Sequence, residues 1–248
     1  MKKIISTMAA VAALCLPAMA AYDGRVDISS NNNPIGTTPG GGGPFVITID
    51  TSYGFSPLMQ DVISHGNSFL SYCLERNEHI SLSGDQNYYG IISHSAKAGG
   101  LAGGNPDPIS RATAFLYSQF RAGATGFTSN QAKADMQNAI WWLEQEIDNG
   151  VDTNPLTSGG LSLVNMAKSA LGFAQNSSTD VAVRALNANG AYGVRVLNLY
   201  SNYNTTTGVA NTARQDQLVI VPEPSTYVAA ALLMIPVISQ VRRMRRSA

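Results

Sequence analysis

Bulky apolar residues at every second position mark the first strands of this chain. Residues 45–50 alternate bulky apolar with mixed side chains, and residues 68–75 form a second apolar stretch that contains Cys73 near its end. Both patterns are typical of half-buried β-strands. Residues 84–107 contain many glycines and few periodic apolar positions, which predicts a loop with short strands.

Apolar residues at helical spacing then predict three helices. The first runs from a start signal at residues 107–110 to Gly123, the second from a cap at residues 128–129 to residues 149–150, and the third covers residues 163–173. The apolar stripe of the second helix consists of Met136, Ile140, Leu143 and Ile147. This spacing places the stripe on one face of the helix, directed at a core.

Two further strands are predicted over residues 194–200 and 217–221. Strands, then helices, then strands indicate an α+β domain, with a β-sandwich or barrel-like sheet region and an inserted helical subdomain. Residues 21–44 are rich in glycine, asparagine, proline and threonine, and they are predicted to form a flexible leader before this domain.

The first 20 residues have the organisation of an export signal. Lys2 and Lys3 precede an apolar run over residues 4–16, and residues 17–20 end with a small-residue cleavage pattern. The apolar run is too short to cross a bilayer. A signal peptide over residues 1–20, outside the fold and cleaved after Ala20, is therefore predicted.

The last 27 residues contain a short motif, an apolar run and a basic end, in that order. The motif is Pro222-Glu223-Pro224, and the apolar run covers residues 227–241. The basic end consists of Arg242, Arg243, Arg245 and Arg246. The run is shorter than the roughly 20 residues of a spanning helix, and arginines at its end favour a cytoplasmic stop. This combination indicates a processing signal with a short membrane segment, and a plain single-span anchor is the alternative.

This tail, residues 222–248, resembles the PEP-CTERM signal, which exosortases recognise in Gram-negative bacteria that make extracellular polysaccharide. Pro222, Glu223 and Pro224 carry the resemblance. It implies an inner-membrane intermediate and cleavage near the motif by an exosortase-type enzyme. The product would then reside in the cell envelope or the extracellular matrix.

Removal of both terminal signals changes the charge of the protein. Six of its 16 lysines and arginines lie in those signals, against one acidic residue, Glu223. Residues 21–222 therefore carry 10 basic and 15 acidic side chains, a net charge of −5. An acidic domain without a lysine or arginine cluster excludes nucleic acid as a partner.

Cys73 is the only cysteine that remains after export, because Cys15 leaves with the signal peptide. An internal disulfide is thus excluded. A lone cysteine in an exported protein indicates an intermolecular, reactive or modified thiol. A buried structural thiol, which behaves as a small apolar side chain, is the alternative.

Three short segments carry the candidate chemistry: residues 72–75 (YCLE), 137–141 (QNAIW) and 217–221 (QLVIV). Their combination and order resemble the bacterial thioester domain of surface adhesins, over about residues 45–221. That family has an aromatic residue and a cysteine, then Gln-x-Ala-aliphatic-Trp, then a glutamine followed by apolar residues. Asp216 stands where the family usually has an apolar residue, so Gln215 remains an alternative to Gln217.

The resemblance implies an internal thioester between Cys73 and Gln217, formed with loss of ammonia. Its implied supporting residues are Tyr72, Glu75, Gln137 and Trp141. The aromatic residues would exclude water, and Gln137 would hydrogen-bond near the bond. An amine or a sugar hydroxyl on another surface would take the acyl group, which suits adhesion, biofilm formation or polysaccharide association. Such a protein acts once, is not an enzyme and needs no cofactor.

A cysteine hydrolase is the enzymatic alternative. It requires a base, for which His79 and His94 are the candidates, but no protease signature surrounds Cys73. The spacing of these histidines and His65 fits no known ligand motif, so no metal is expected.

A non-covalent structural or carbohydrate-binding matrix protein is the third hypothesis. Tyrosines that would line a sugar-binding surface occur at Tyr88, Tyr89, Tyr192, Tyr200 and Tyr203. Tyrosines are common on strands, so this pattern is weakly specific.

Overall fold

A six-stranded sheet and a group of helices make up the fold, seen in a computed structural model that describes residues 22–30, 42–82, 87–97, 104–147, 154–204 and 206–222. The strands are β1 (Gly24–Ser29), β2 (Phe45–Ile49), β3 (Ser68–Ser71), β4 (Tyr88–Ser93), β5 (Ser95–Ala96), β6 (Asp107–Pro108), β7 (Val194–Asn204) and β8 (Val209–Ile220). The main sheet has the order β3-β2-β1-β4-β7-β8 with antiparallel pairings, and β5 pairs with β6 separately.

Five helices accompany these strands within the described residues. They are α1 (Pro57–Ile63), α2 (Arg111–Arg121), α3 (Asn130–Leu143), α4 (Ser158–Ala170) and α5 (Asp180–Ala185). Four of them, α2 to α5, lie between β6 and β7 in the chain. The predicted α+β class, with helices inserted between strands, is therefore confirmed. No helix in the described part of the chain is long and apolar enough to cross a membrane.

The sheet has a separate apolar core on each of its faces. One core joins α2, α3 and α4 to Val194, Val196 and Leu218 of the last two strands. The other joins α1 to side chains from β1, β2, β4, β7 and β8, and it includes Cys73. Successive side chains of a strand point to opposite faces, so neighbouring residues enter different cores.

Two of the predicted helix starts are confirmed by their caps. The Ser110 side chain accepts a hydrogen bond from Thr113 N at the start of α2, and the Ser129 side chain accepts one from Ala132 N at the start of α3. Serine suits these positions because its oxygen satisfies one of the free N–H groups of the first turn.

The second helix ends earlier than the sequence predicts. It stops at Leu143, and Gln145 then takes a left-handed conformation with a φ of 64°. The chain turns there, with Glu146 N donating to Trp141 O over 2.7 Å. Ile147 is buried as predicted, but it reaches the core from this turn and not from a helix.

The prediction of a flexible leader is wrong for residues 24–29, which form β1 between β2 and β4. Val26 and Ile28 are buried and alternate with the half-buried Arg25 and Asp27. This short alternation is a strand pattern, but the glycine- and asparagine-rich composition around it obscures it. Residues 31–41 of the predicted leader, and the signal peptide, lie outside the described residues.

Residues 88–93, predicted as loop with short strands, form the central strand β4. Gly90 lowers the strand propensity of this segment, yet the packing requires it. A Cβ atom at this position would lie 2.7 Å from Leu197 Cδ1 on the neighbouring strand β7. Glycine inside a strand commonly marks such a close approach.

Tyr117 of α2 contacts both of the outermost strands of the sheet, β3 and β8. Its hydroxyl oxygen lies 2.9 Å from Leu70 O of β3 and 3.0 Å from Leu218 O of β8, and it accepts a hydrogen bond from Arg121. The tyrosine is fully buried. One side chain therefore connects the helical layer to both of these strands.

Replacement of Tyr117 by phenylalanine is expected to lower the free energy of unfolding by about 0.5–1.5 kcal/mol, because the buried O–H group that contacts Leu70 O and Leu218 O is lost, although Leu218 O keeps its bond from Ser71 Oγ. Urea denaturation measures this change. Tyr192→Phe is the matched control, since Tyr192 is 45% exposed, so little change is expected. Equal free energies of unfolding for the two variants would show that the Tyr117 hydroxyl does not stabilise the contact with the strands.

Candidate functional site

The candidate site lies where the segment after β3 meets β8. Cys73 and Gln217 face each other as an antiparallel bridge, 144 positions apart in the chain. On either side of them, Leu74 N donates to Asp216 O and Leu218 N donates to Tyr72 O, both over 3.1 Å. These bonds join the two outermost strands of the six-stranded sheet.

An irregularity in β8 sets the direction of the side chains at this point. The pairing with β7 runs Leu197 to Gln217 and then Leu199 to Arg214, so β8 contains one more residue than its partner between these pairs. Asp216 lies in this bulge, and its Oδ1 accepts a hydrogen bond from Leu199 N over 3.2 Å. Bulges of this kind redirect side chains and are frequent beside functional sites.

Cys73 and Gln217 are in side-chain contact. The distance from Gln217 Nε2 to Cys73 Sγ is 3.6 Å, and both residues are fully buried. The amide carbon of Gln217 is one bond of roughly 1.3 Å from that nitrogen, so it lies between about 2.3 and 4.9 Å from the sulfur. This interval contains the range of about 3–3.5 Å from which bond formation starts.

The amide oxygen of Gln217 is buried and has no hydrogen-bond partner among the described residues. Leaving such a group unpaired costs about 1–3 kcal/mol. A thioester oxygen is a weaker hydrogen-bond acceptor than an amide oxygen. The unpaired position is therefore less costly for a thioester than for the free glutamine.

Gln137 of α3 holds the backbone of Cys73 in place. Its Oε1 accepts hydrogen bonds from Cys73 N over 3.1 Å and from Gly43 N over 2.7 Å, and its Nε2 donates to Cys73 O over 2.9 Å. Gln137 is 1% exposed. The predicted supporting role of Gln137 thus has a defined geometry, and it links the helix, the cysteine and the segment before β2.

Burial raises the pKa of the Cys73 thiol to about 12, although hydrogen bonds from Gln217 and Gly43 oppose this shift. The carboxylate of Glu75 adds to it through its negative charge. A thiol of this kind is almost entirely protonated at neutral pH. Its reactivity therefore depends on being held against its target and not on a high thiolate fraction.

The two aromatic residues predicted to shield the bond belong to the other core. Tyr72 and Trp141 pack among the helices, where the Tyr72 ring meets the Phe120 ring edge-on at 5.0 Å. Cys73 packs instead in the core that contains Phe45 and Val219. The apolar environment of the thiol is thus the core that contains α1 and strand side chains, and not the core that contains Tyr72 and Trp141.

Glu75 lies beside the pair, as predicted, but it is one of a group of carboxylates. One oxygen each from Glu75, Glu78 and Asp216 lies within 4.8 Å of the others. Burial, and then the charge of Asp216, raises the pKa of Glu75 well above its ordinary value. Sequence reasoning missed this group because its members come from two distant segments, although the spacing of Glu75 and Glu78 was visible.

Gln215, the alternative to Gln217, is engaged elsewhere. Its Nε2 donates to Glu75 O over 2.8 Å. The structure therefore brings Gln217, and not Gln215, into contact with the Cys73 sulfur.

The three histidines are exposed, whereas Cys73 is completely buried. Among the described residues, none of the hydrogen bonds of Cys73 involves His65, His79 or His94. A cysteine hydrolase needs its base within hydrogen-bond reach of the thiol, and this arrangement does not provide one.

The tyrosines predicted for a sugar surface do not form one group. Tyr89 and Tyr203 are stacked with ring centroids 5.6 Å apart, and Tyr22 contacts both edge-on. Tyr88 is buried in the core of the sheet, and Tyr192 contacts Phe115 of α2. Only part of the predicted set thus lies together.

Pro222 is the last described residue, two positions after β8 ends. The rest of the predicted sorting motif, Glu223 and Pro224, the apolar run and the arginines at 242, 243, 245 and 246 lie outside the described residues. No model of a protein family, no curated protein and no solved structure matches this chain.

Proposed function

We propose that this is an exported surface or matrix protein with an internal thioester between Cys73 and Gln217, which it uses once to attach covalently to another molecule. The observation that carries the proposal is the buried contact of 3.6 Å between the Cys73 sulfur and the Gln217 side-chain nitrogen. The two side chains come from segments that are 144 residues apart, so only the folded chain holds them together.

The thioester forms by attack of Cys73 Sγ on the Gln217 amide carbon. A sulfur–carbon bond forms, the carbon–nitrogen bond breaks, and the thiol proton passes to the departing nitrogen, which leaves as ammonia. An amide is a poor acyl donor, and the buried thiol is a poor nucleophile at neutral pH. Contact within a rigid site compensates, because well-oriented groups react with effective molarities of about 10⁵–10⁸ M.

The surroundings support a long-lived thioester. Both residues are fully buried, so water reaches the bond only when the site opens. The hydrogen bonds from Gln137 fix the Cys73 backbone, and the unpaired Gln217 oxygen suits a thioester better than an amide. The bond is thus preserved until a partner surface gains access.

Attachment is a second acyl transfer. An amine or hydroxyl of the target attacks the carbon of the thioester, and the sulfur leaves and takes up a proton as the free Cys73 thiol. The product is an amide or ester through the side chain of residue 217. The protein is consumed in this reaction, so the activity is adhesion and not enzymatic turnover.

The proposed location follows from the two ends of the chain. A signal peptide at residues 1–20 and a PEP-CTERM-type tail at residues 222–248 would export the protein and deliver it to an exosortase-type enzyme. The joined outer strands support a barrel-like sheet with an inserted helical subdomain. Gln217 lies five residues before Pro222, so no stalk separates the proposed bond from the sorting motif.

Intact mass spectrometry of the exported protein is the deciding experiment. We expect a mass lower by one ammonia than the sequence predicts, and no thiol that reacts with a thiol reagent in the native state. Methylamine is expected to add to the thioester and to expose one titratable thiol. Cys73→Ala and Gln217→Ala are each expected to abolish the deficit, because each removes one end of the bond.

Gln215→Ala is the matched control, since Gln215 lies two residues from Gln217 and bonds to Glu75 O. It is expected to retain the mass deficit. A full mass together with a native free thiol in the unaltered protein would refute the thioester. A deficit lost in Gln215→Ala but kept in Gln217→Ala would move the bond to the other glutamine.

Reversible carbohydrate binding has one specific observation in its favour, the cluster of Tyr22, Tyr89 and Tyr203. Each tyrosine side chain combines an apolar ring with a polar hydroxyl group. Binding of this kind would not depend on Cys73, which distinguishes it from covalent attachment.

A further inference from the structure

Three carboxylates from two distant segments converge beside the proposed thioester. Glu75 and Glu78 follow Cys73 in the chain, and Asp216 precedes Gln217. One oxygen atom from each lies within 4.8 Å of the other two. Glu75 and Asp216 are buried, whereas Glu78 is half-buried and gives the group contact with solvent.

Two of these carboxylates have an oxygen atom without a hydrogen-bond partner among the described residues: Glu75 Oε1 and Glu78 Oε2. Glu75 is 3% exposed, so water does not replace the missing partner freely. Burial of a carboxylate oxygen without a compensating donor or cation is costly. This unpaired buried oxygen, separate from the clustering itself, indicates that a ligand belongs there.

Three other oxygens of the cluster accept hydrogen bonds from backbone N–H groups. Glu75 Oε2 accepts a hydrogen bond from Asp216 N over 3.2 Å. Asp216 accepts from Leu199 N through Oδ1 and from Lys97 N over 2.6 Å through Oδ2. Two of the three carboxylates are therefore held by the backbone: Asp216 on β8 and Glu75 in the segment after Cys73.

We propose that Glu75, Glu78 and Asp216 bind a divalent cation of the size of Ca²⁺. Ca²⁺ is bound at about 2.3–2.6 Å, so two oxygens on one ion lie up to about 5.2 Å apart. The oxygens of this cluster lie within 4.8 Å of one another, inside that limit. Mg²⁺ binds at about 2.0–2.1 Å and demands near-ideal octahedral geometry, which three carboxylates from two separate segments suit less well.

The ligand chemistry also favours Ca²⁺. The three side chains offer oxygen atoms alone, and hard cations prefer carboxylate oxygens. Ca²⁺ takes six to eight ligands, and the half-buried position of Glu78 leaves room for water molecules to complete the set.

The consequence for the site rests on the proposed thioester function. A cation bound here connects the segment after Cys73 to the bulge before Gln217, in addition to the hydrogen bond from Leu74 N to Asp216 O. It would stabilise the junction at which the reactive bond forms. Calcium outside the cell would thus strengthen the folded site after export.

Calorimetric titration of the purified chain with CaCl₂, after removal of metals with a chelator, tests the proposal. We expect one Ca²⁺ per chain, a higher melting temperature with Ca²⁺, and binding of MgCl₂ that is at least about tenfold weaker. Glu78→Gln removes one ligand charge at a half-buried position and is expected to weaken Ca²⁺ binding by at least about tenfold. Asp61→Asn on α1 is the matched control, and it is expected to bind Ca²⁺ as the unaltered chain does.

Absence of Ca²⁺ binding at millimolar concentration, or unchanged binding by Glu78→Gln, would overturn the cation site. Equal affinity for Mg²⁺ would overturn the assignment to Ca²⁺. The thioester has an independent measurement, the mass deficit, so the two proposals fail separately. Cys73→Ala, which forms no thioester, is expected to retain Ca²⁺ binding because Cys73 is not a ligand.

Discussion

Replacement of Gln137 by alanine is expected to lower the free energy of unfolding by about 3–5 kcal/mol and to abolish the ammonia mass deficit. The substitution removes the partners of Gly43 N, Cys73 N and Cys73 O in a fully buried position. Each unsatisfied buried group costs about 1–3 kcal/mol, and the cavity left by the side chain adds to this loss. The Cys73 backbone would then no longer be held in register with Gln217.

Urea denaturation measures the first effect, and intact mass measures the second under conditions where the variant is still folded. Gln131→Ala is the matched control on the same helix, because the Gln131 side chain is exposed and makes one surface hydrogen bond to Asp135. We expect it to change stability by less than about 0.5 kcal/mol and to retain the deficit. A Gln137→Ala protein with the stability and mass of the unaltered chain would show that this glutamine does not organise the site.

Glu144 is expected to make the stability of the protein fall as the pH rises from about 4.5 to 8. Its carboxyl group is buried at the end of α3 and receives hydrogen bonds from Ser110 and Thr113 at the start of α2. Burial raises its pKa to about 7 from an ordinary value of 4.5, although these hydrogen bonds oppose the shift. The charge of Asp107 also contributes to the raised value.

The direction of this effect follows from proton binding. Between pH 4.5 and 7 the folded protein keeps the Glu144 proton while the unfolded chain has released it, so each increase in pH favours unfolding. Below the pKa that Glu144 has in the unfolded chain, the carboxyl group is protonated in both the folded and the unfolded protein, and the stabilisation is fully present. This stabilisation, about 3 kcal/mol in total, is lost as the pH rises through the pKa that Glu144 has in the folded protein.

Glu144→Gln tests this prediction because glutamine has a similar shape and does not titrate. The difference in unfolding free energy between the two proteins, measured by denaturation from pH 4.5 to 8, is expected to change by about 3 kcal/mol in favour of the variant. Gln131→Ala, which removes no titratable group, is the control, and we expect its difference from the unaltered protein to stay nearly constant. A constant difference for Glu144→Gln as well would show that this carboxyl group has the same pKa in the folded and unfolded chains.

Local sequence signals predicted the elements whose formation depends on neighbouring residues. The starts of α2 and α3 at Ser110 and Ser129 were predictable, because a serine that caps a helix acts within three residues of its own position. The strand at residues 217–221 was predictable from its apolar run, although β8 begins earlier, at Val209. The segment of β1 was not, because its short alternation lies in a composition typical of loops.

The candidate site was predictable in part for a different reason. Cys73 stood out as the only cysteine outside the predicted signal peptide, and the resemblance to thioester domains singled out Gln217 and Gln137. The carboxylates Glu78 and Asp216 gave no sequence signal as a pair, because acidic residues are usually exposed and unconnected. Their significance arises from a position in space that local patterns do not encode.

The sequence by itself determined which residue types were available: one cysteine outside the predicted signal peptide, the capping serines, the apolar periods and the charged ends. Only the tertiary structure decided that Cys73 contacts Gln217 and not Gln215, since that choice depends on the bulge in β8. It also decided that Gln137 holds the cysteine backbone and that three carboxylates meet beside it. The physical reason is that these contacts join residues far apart in the chain, whose geometry is set by strand register and core packing.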